Sequence, residues 1–318
     1  MSIPVSPPAP LALIAGPTAS GKSAIAIALA QRLAADGRKT VIVNADSAQV
    51  YADLQILSAR PTEDEMEGIE HRLFGAWDGA EACSAAAWAA RAAAEIADCH
   101  AAGIVPILVG GTGMYIKVLL EGIAPIPPID PAVRNAVRAL SEADAYSLLS
   151  IEDPERAAML APGDTQRIAR ALEVKRSTGV TLGDWQHAKS GGIGDVVTLH
   201  PLIIEPERQW LYDRCDARFE AMLDSGAVAE VEALLARGLD PELPVMRAIG
   251  VPEIAAWLAG EIDAEAVIAA GSQATRNYAK RQFTWFRRQP PADWPRAHPT
   301  WESENIDIVA AFASLLRK

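Results

Sequence analysis

Apolar positions in the first third of the chain fall in short unbroken runs, each closed by glycine or a carboxylate. Residues 11–15 (LALIA) end at Gly16, residues 40–47 (TVIVNADS) end at Asp46, and residues 103–113 (GIVPILVGGTG) end in glycines. Continuous β-rich runs of this length predict strands buried on both faces. Between the second and third run, CSAAAWAARAAAEIADCHAAG predicts one helix stopped by Gly103. Strands that alternate with helices predict a parallel, doubly wound sheet. Ligands in that architecture sit beyond the carboxyl ends of the strands, so the three polar strand ends should meet at one site.

After Gly122 the pattern changes. APIPPIDP (124–131) is a proline-rich boundary, and AVRNAVRALSEADAYSLLS and DTQRIARALEVKRSTG are helical, the latter with Asp164 as N-cap and Gly179 as stop. KSGGIGD (189–195) is a flexible link, and VVTLHPLIIE (196–205) predicts a return to the sheet. The expected organisation is therefore an α/β core begun by residues 11–123, a helical insertion over 124–192, and a return to the core with C-terminal helices over 193–318. A Trp/Pro-rich stretch (290–301) and a short amphipathic helix close the chain. No internal repeat is present.

Composition narrows the class. The 318 residues give room for one large domain or a core with a smaller companion, and 50% are hydrophobic, enough for a full core. No apolar run approaches the roughly 18 residues of a membrane span, and MSIPVSPPAP lacks the charged start of a signal peptide. Cys83, Cys99 and Cys215 are far apart and form no CxxC, which fits a reducing cytoplasm and excludes a zinc motif. The net charge of −12 opposes a generally basic nucleic-acid binder, yet residues 276–288 (RNYAKRQFTWFRR) are basic without an acid.

The chemistry begins at Gly16-x-x-x-x-Gly21-Lys22-Ser23, which follows a predicted strand and opens a predicted helix. Across Gly16, Pro17, Thr18, Ala19, Ser20 and Gly21, backbone amides can curl round an anion at a helix N-terminus; Lys22 adds a point charge, and Ser23 can ligate Mg²⁺. The core is thus P-loop NTPase-like. No Asn-Lys-x-Asp motif marks a GTPase, and a small-molecule kinase stays open on these residues alone. Asp46 is placed to face the loop, or else to cap the next helix. Thr112 stands at the third strand end.

GPTASGKS, NADSAQVY, VGGTGMY, DTQRIARALEV, RCDARFEAMLDSG, RAIG and AKRQFTWFR occur in the order and spacing of the bacterial tRNA dimethylallyltransferases (tRNA isopentenyltransferases), which the sequence resembles from about residue 11 to 288. The resemblance implies transfer of a dimethylallyl group from dimethylallyl diphosphate to N6 of the adenosine immediately 3′ of the anticodon, with Mg²⁺ as cofactor. On that reading the loop holds the diphosphate of a prenyl donor, Arg218 is a second cationic clamp, and Asp46, Ser23 and Thr112 join it in catalysis. Asp46 would orient the amine and take its proton. Contacts with the tRNA anticodon stem-loop are implied for Asp46, Ser47, Ala48, Gln49, Thr112, Arg134, Gln166, Arg167, Ile168, Ala169, Arg170, Arg247, Lys280, Arg281, Gln282, Phe283 and Arg287. At 100° per residue Arg276, Lys280, Phe283 and Arg287 share one helix face, with Tyr278 and Trp285 opposite as core. A monomer is expected.

The chain departs from the family after Tyr51, where ADLQILSARP carries Gln55, Leu57 and Arg60 in place of Asp, Gly and Lys, and after Gly250, where Val251-Pro252 replaces a tyrosine. Two other readings remain beside the transferase: a P-loop kinase, which needs no basic RNA-binding face, and a non-catalytic RNA-binding module with a vestigial loop, which needs no intact Lys22, Ser23 and Asp46.

Overall fold

A computed structural model describes residues 8–300 and 306–317. The chain divides into two compact units, one running up to Leu120 and again from Ile193, the other Glu121–Gly192. In the first unit the predicted runs form β1 (Ala9–Ala15), β2 (Thr40–Asn44), β4 (Val105–Gly110) and β5 (Val197–Ile204), with two-residue strands β3 (His71–Arg72) and β6 (Arg296–Ala297) at the edges. The sheet order is β3-β2-β4-β1-β5-β6 and every pairing is parallel. β1 is central: Ala15 pairs with Gly110 of β4 and with Ile203 of β5. All predicted strand ends therefore lie on one edge of the sheet.

Each strand feeds side chains to two cores because alternate residues point to opposite faces. Leu11, Leu13, Val43 and Leu108 pack on one face with Trp88, whereas Ala12, Ile14, Ile42 and Ile107 pack on the other with Leu29 and Phe312. Trp88 belongs to α2 (Ala85–Ala101) and Leu29 to α1 (Lys22–Ala35), so helices cover both faces. The single helix expected between β2 and β4 is present: Ser84 caps α2 by accepting the Ala87 amide, and Gly103 turns the chain at φ 67°. α3 (Gly113–Glu121) follows β4.

The second unit is helical: α4 (Pro131–Arg138), α5 (Glu142–Glu152), α6 (Pro154–Ala158), α7 (Thr165–Thr178) and α8 (Leu182–His187). Ser141 breaks the stretch after Pro131 in two because its hydroxyl accepts the Asp144 amide and starts α5. Asp164 precedes α7 but makes no capping hydrogen bond; it faces Arg167 at 3.7 Å instead. Gly179 stops α7 at φ 75°. Val137, Leu149, Ile168 and Leu172 form the core of this unit.

The remaining elements of the first unit are α9 (Arg208–Asp224), α10 (Ala227–Ala236), a 3₁₀ turn (Pro244–Arg247), α11 (Val251–Leu258), α12 (Ala264–Arg288), α13 (Ile308–Ala311) and α14 (Ala313–Leu316). Two details differ from expectation. β6 lies in the Trp/Pro-rich stretch, where two residues suffice to pair Arg296 with Ile203. The closing amphipathic helix is split at Phe312, whose ring is fully buried beside α1. Trp301, also part of that stretch, lies outside the described residues.

Candidate active site

The site is assembled where the strands end. Gly16 follows β1 so closely under β5 that a Cβ there would lie 2.5 Å from the Ile204 carbonyl oxygen. Gly110 ends β4 where a Cβ would lie 2.1 Å from the Ala45 backbone. The two glycines let four strand ends, those of β1, β5, β4 and β2, converge. Between Gly16 and α1 the loop turns through Ala19 at φ 61° and Gly21 at φ 84°. Ala19, a non-glycine in the left-handed region, is held there from α9: Arg214 donates from Nε to its carbonyl at 3.0 Å and stacks over Trp210, 4.6 Å from the ring centre.

Two cations serve the loop directly. Lys22 opens α1 and donates from Nζ to the Pro17 carbonyl at 2.6 Å. Burial pulls its ammonium down to about 8, with Asp46 pushing it back up and Arg218 further down. Arg218, one turn after Arg214, donates to the Thr18 hydroxyl at 2.5 Å. Burial lowers its affinity for a proton as well, while Cys215 and Asp46 oppose that shift. Ser20 completes the cradle. It is 2% exposed, and its hydroxyl is buried without a partner. A buried, unanswered hydroxyl among amides and cations is what an anionic oxygen would satisfy.

Asp46 lines the same cavity as this loop, where its charge acts on Lys22 and Arg218. Fully buried Asn44 fixes the turn beneath it, accepting the Asp46 amide at 2.8 Å and donating to the Asp46 carbonyl at 3.0 Å. One carboxylate oxygen of Asp46 accepts the Ala48 amide at 3.0 Å. Thr112 ties this turn to β4. Its amide donates to the Ala45 carbonyl at 3.1 Å; its hydroxyl accepts the Ser47 amide at 2.9 Å and donates to the Ser47 hydroxyl at 3.1 Å. The phenol of Tyr278 lines the same cavity. Burial holds it protonated well above the usual phenol range.

These groups share one cavity of about 840 Å³ in the first unit, lined among others by Lys22, Asp46, Arg218, Arg247, Tyr278 and Arg281. Ser23, Ser47, Ala48 and Gln49 line it too, as does the loop from Thr18 to Gly21. Thr112 is not a lining residue and reaches the cavity through Ser47. Gln49 is spent partly on its own fold, donating to the Ser58 and Ala59 carbonyls at 3.1 and 2.7 Å.

Three expectations from sequence are corrected by burial. Ile168, expected at the RNA, is 1% exposed in the core of the helical unit, so its side chain is structural. Gln282, expected likewise, is 6% exposed and bonded within the protein. Tyr278, expected in the core with Trp285, enters the cavity, while Trp285 alone packs into the core. Lys280, Arg281 and Arg287 are exposed along α12; Phe283 is half-buried, with Arg208 stacked 5.8 Å from its ring centre. In the helical unit Gln166, Arg167 and Arg170 are exposed on α7, Ala169 is half-buried against the core, and Arg134 is half-buried on α4. Arg214 and Tyr278 were missed from sequence. Each had a signal in its spacing, one helical turn before Arg218 and before Gln282.

Comparison with known proteins agrees with this geometry. The family profile described as IPP transferase matches residues 49–289, and that described as isopentenyl transferase matches residues 9–79. Over 287 residues, 90% of either chain, the sequence is 68% identical to a tRNA dimethylallyltransferase of Erythrobacter litoralis. It is 62% identical over 308 residues to that of Sphingopyxis alaskensis, covering 97% of this chain and 98% of the other. Among solved structures, the full-length tRNA isopentenylpyrophosphate transferase of Bacillus halodurans is similar with a TM-score of 0.67 and 30% identity, over 96% of this chain and 95% of that one. A eukaryotic dimethylallyltransferase captured acting on tRNA is similar with a TM-score of 0.73 and 28% identity, over 87% of this chain and 69% of that one. With matches of this extent laid over a phosphate loop that faces a carboxylate, the chain belongs to the bacterial tRNA dimethylallyltransferase family.

Proposed function

We infer that this protein transfers a dimethylallyl group from dimethylallyl diphosphate to N6 of the adenosine immediately 3′ of the anticodon in tRNA and releases diphosphate. The observation that carries the reading is one cavity lined both by a cationic phosphate loop and by the fixed carboxylate of Asp46, whose charge acts on Lys22.

The reaction breaks the C1–O bond of the donor, forms a C1–N6 bond and removes one proton from N6. Negative charge grows on the departing diphosphate, where the loop amides, Lys22, Arg218 and the Ser20 hydroxyl can meet it. The adenine amine is a weak nucleophile because its lone pair is delocalised into the ring. Asp46 accepts a hydrogen bond from it, orients it, and takes the proton once nitrogen gains positive charge. Asn44, Thr112 and Ser47 keep that turn in place. Flipping the base from the loop costs a few kcal/mol, which RNA contacts must offset. Arg247 and Arg281 at the cavity, Lys280 and Arg287 along α12, and Gln166, Arg167 and Arg170 of the helical unit are the groups for that role.

Mg²⁺ fits the same place. No cluster of three or more His, Cys, Asp or Glu exists among the described residues, but Mg²⁺ with phosphates needs only one or two protein oxygens. The Ser23 hydroxyl, which follows the loop and lines the cavity, would hold it together with the diphosphate oxygens. When bound, Mg²⁺ supplies positive charge against the diphosphate. Action in the cytoplasm suits one further observation, that all three cysteines are free. No helix among the described residues is long and apolar enough to cross a membrane.

The test is incubation of purified protein with Mg²⁺, labelled dimethylallyl diphosphate and unmodified tRNA, with ATP offered in parallel and product nucleosides read by mass. Prenylated adenosine from the prenyl donor alone is expected. Phosphate transfer from ATP without prenylation would overturn the reading.

A further inference from the structure

Gln282 lies on α12 with both ends of its carboxamide in use. Its Oε1 accepts the Thr18 amide at 2.8 Å, and its Nε2 donates to the Gly111 carbonyl at 2.8 Å. The side chain is 6% exposed, so neither bond is readily exchanged for water. The fit is close: a Cβ on Gly111 would lie 2.3 Å from Nε2. On one side, Thr18 is the residue whose hydroxyl takes the Arg218 guanidinium. On the other, Gly111 precedes Thr112, which holds the Ser47 amide next to Asp46. A single planar amide therefore joins the phosphate loop to the turn that carries the carboxylate.

We propose that Gln282 is a positioning residue that couples the two substrate sites, so that diphosphate in the loop and RNA at the Asp46 side each strengthen binding of the other. The proposal rests on the prenyl-transfer reading of the cavity. An amide pinned at both ends moves as one body, so an anion that orders the loop at Thr18 also fixes Gly111 and, through it, Thr112 and Ser47. RNA then meets a turn that is already ordered. Such coupling is reciprocal by thermodynamic necessity.

The experiment is calorimetric binding of inorganic diphosphate with Mg²⁺ to the full-length protein, with and without an anticodon stem-loop RNA, and the converse titration. In the wild type each partner should tighten the other by about five-fold or more, by the same factor in both directions. Gln282→Met loses both hydrogen bonds at similar size, and Gln282→Glu keeps the acceptor for Thr18 but loses the donor to Gly111. In both variants the factor should fall to about one. A residue that merely stabilised the fold would lower the melting temperature and leave the factor intact.

A second measurement needs no variant. Diphosphate alone should slow amide exchange at residues 111–113 of the wild type. Unchanged exchange there, a wild-type factor of one, or variants that keep the factor would each overturn the proposal. A wild type that prenylates tRNA without such a factor defeats the coupling alone. One that neither binds the stem-loop nor prenylates it defeats the reading of function instead.

Discussion

The guanidinium of Arg218 donates to the hydroxyl of Thr18 at 2.5 Å, which holds a buried cation across the phosphate loop from an adjacent helix. With Lys22 on the other flank, the loop is gripped from two elements that meet only in the folded protein. Removal of Arg218 should therefore damage the step in which charge builds on the diphosphate. Arg218→Gln is expected to lower kcat by about 10²–10³-fold, as loss of one preorganised donor to a developing anion does. RNA affinity should change by less than about three-fold, within the two- to three-fold context scatter of a single interaction. Steady-state kinetics with a filter-binding assay separates the two; a loss confined to RNA affinity would contradict the assignment.

Asp46 is expected to act on the proton rather than on the RNA. Asp46→Asn preserves an oxygen for the Ala48 amide but removes the base, so turnover should drop by about 10²–10⁴-fold. Stem-loop affinity should stay near the wild-type value. Equal losses in turnover and affinity would assign Asp46 to binding instead.

Lys22 makes diphosphate capture sensitive to alkali. Its ammonium loses its proton near pH 8 in the free protein, so diphosphate affinity should fall as pH rises through that value, and binding at pH 8.5 should take up a proton. Calorimetry in buffers of different ionisation heat reads both effects. Stability moves the opposite way. Between about pH 8 and the ordinary lysine value of 10.5 the unfolded chain holds a proton that the native chain has lost, so the native state gains from Lys22 as pH rises there. Lys22→Met should abolish the proton uptake and that increment together.

Glu230 of α10 is expected to set the shape of the cavity from a distance. Its carboxylate accepts the amides of Gln55, Ile56 and Leu57 at 2.5, 3.0 and 3.0 Å, and Leu57 lines the cavity. Glu230→Ala leaves three amides without their acceptor and should cost about 2–4 kcal/mol in urea unfolding, since single bonds to a charged group are worth about 1.5–3 kcal/mol. A change under about 0.5 kcal/mol would mean that water replaces the carboxylate freely.

The strands and the phosphate loop were legible in the sequence because local signals specify them: apolar runs of strand length, a glycine or carboxylate to close them, and the Gly-x-x-x-x-Gly-Lys-Ser spacing. β3 and β6 were not, since two residues carry no periodicity and pair only because a neighbouring edge exists. The same limit applies to Gln282, for which the family resemblance implied a contact with RNA. Its burial depends on Thr18 and Gly111, remote in sequence and adjacent only once the sheet has formed. The substitution at Leu57 acquires its meaning in the same way. A Cβ on Gly250 would lie 2.6 Å from a Leu57 methyl, so this leucine occupies the space that glycine 250 leaves. Asp46 was named from its place at a strand end and Arg218 from a family motif, whereas Tyr278 sits on a helix whose periodicity alone pointed it inward.

The central position of β1 has a consequence for synthesis. The strand that leads into the phosphate loop is among the first parts of the chain to be made, yet its partners are β4 and β5, and Ala15 waits for Ile203. The whole helical unit is translated between those partners. Long-range parallel pairing of this kind is slow and exposes apolar strands until it is complete. The nascent chain therefore carries its anion-binding sequence without an anion-binding site, and the cations of α9 that grip the loop emerge later still. A polypeptide arrested before β5 would be a client for chaperones rather than a competitor for the cell's prenyl diphosphates.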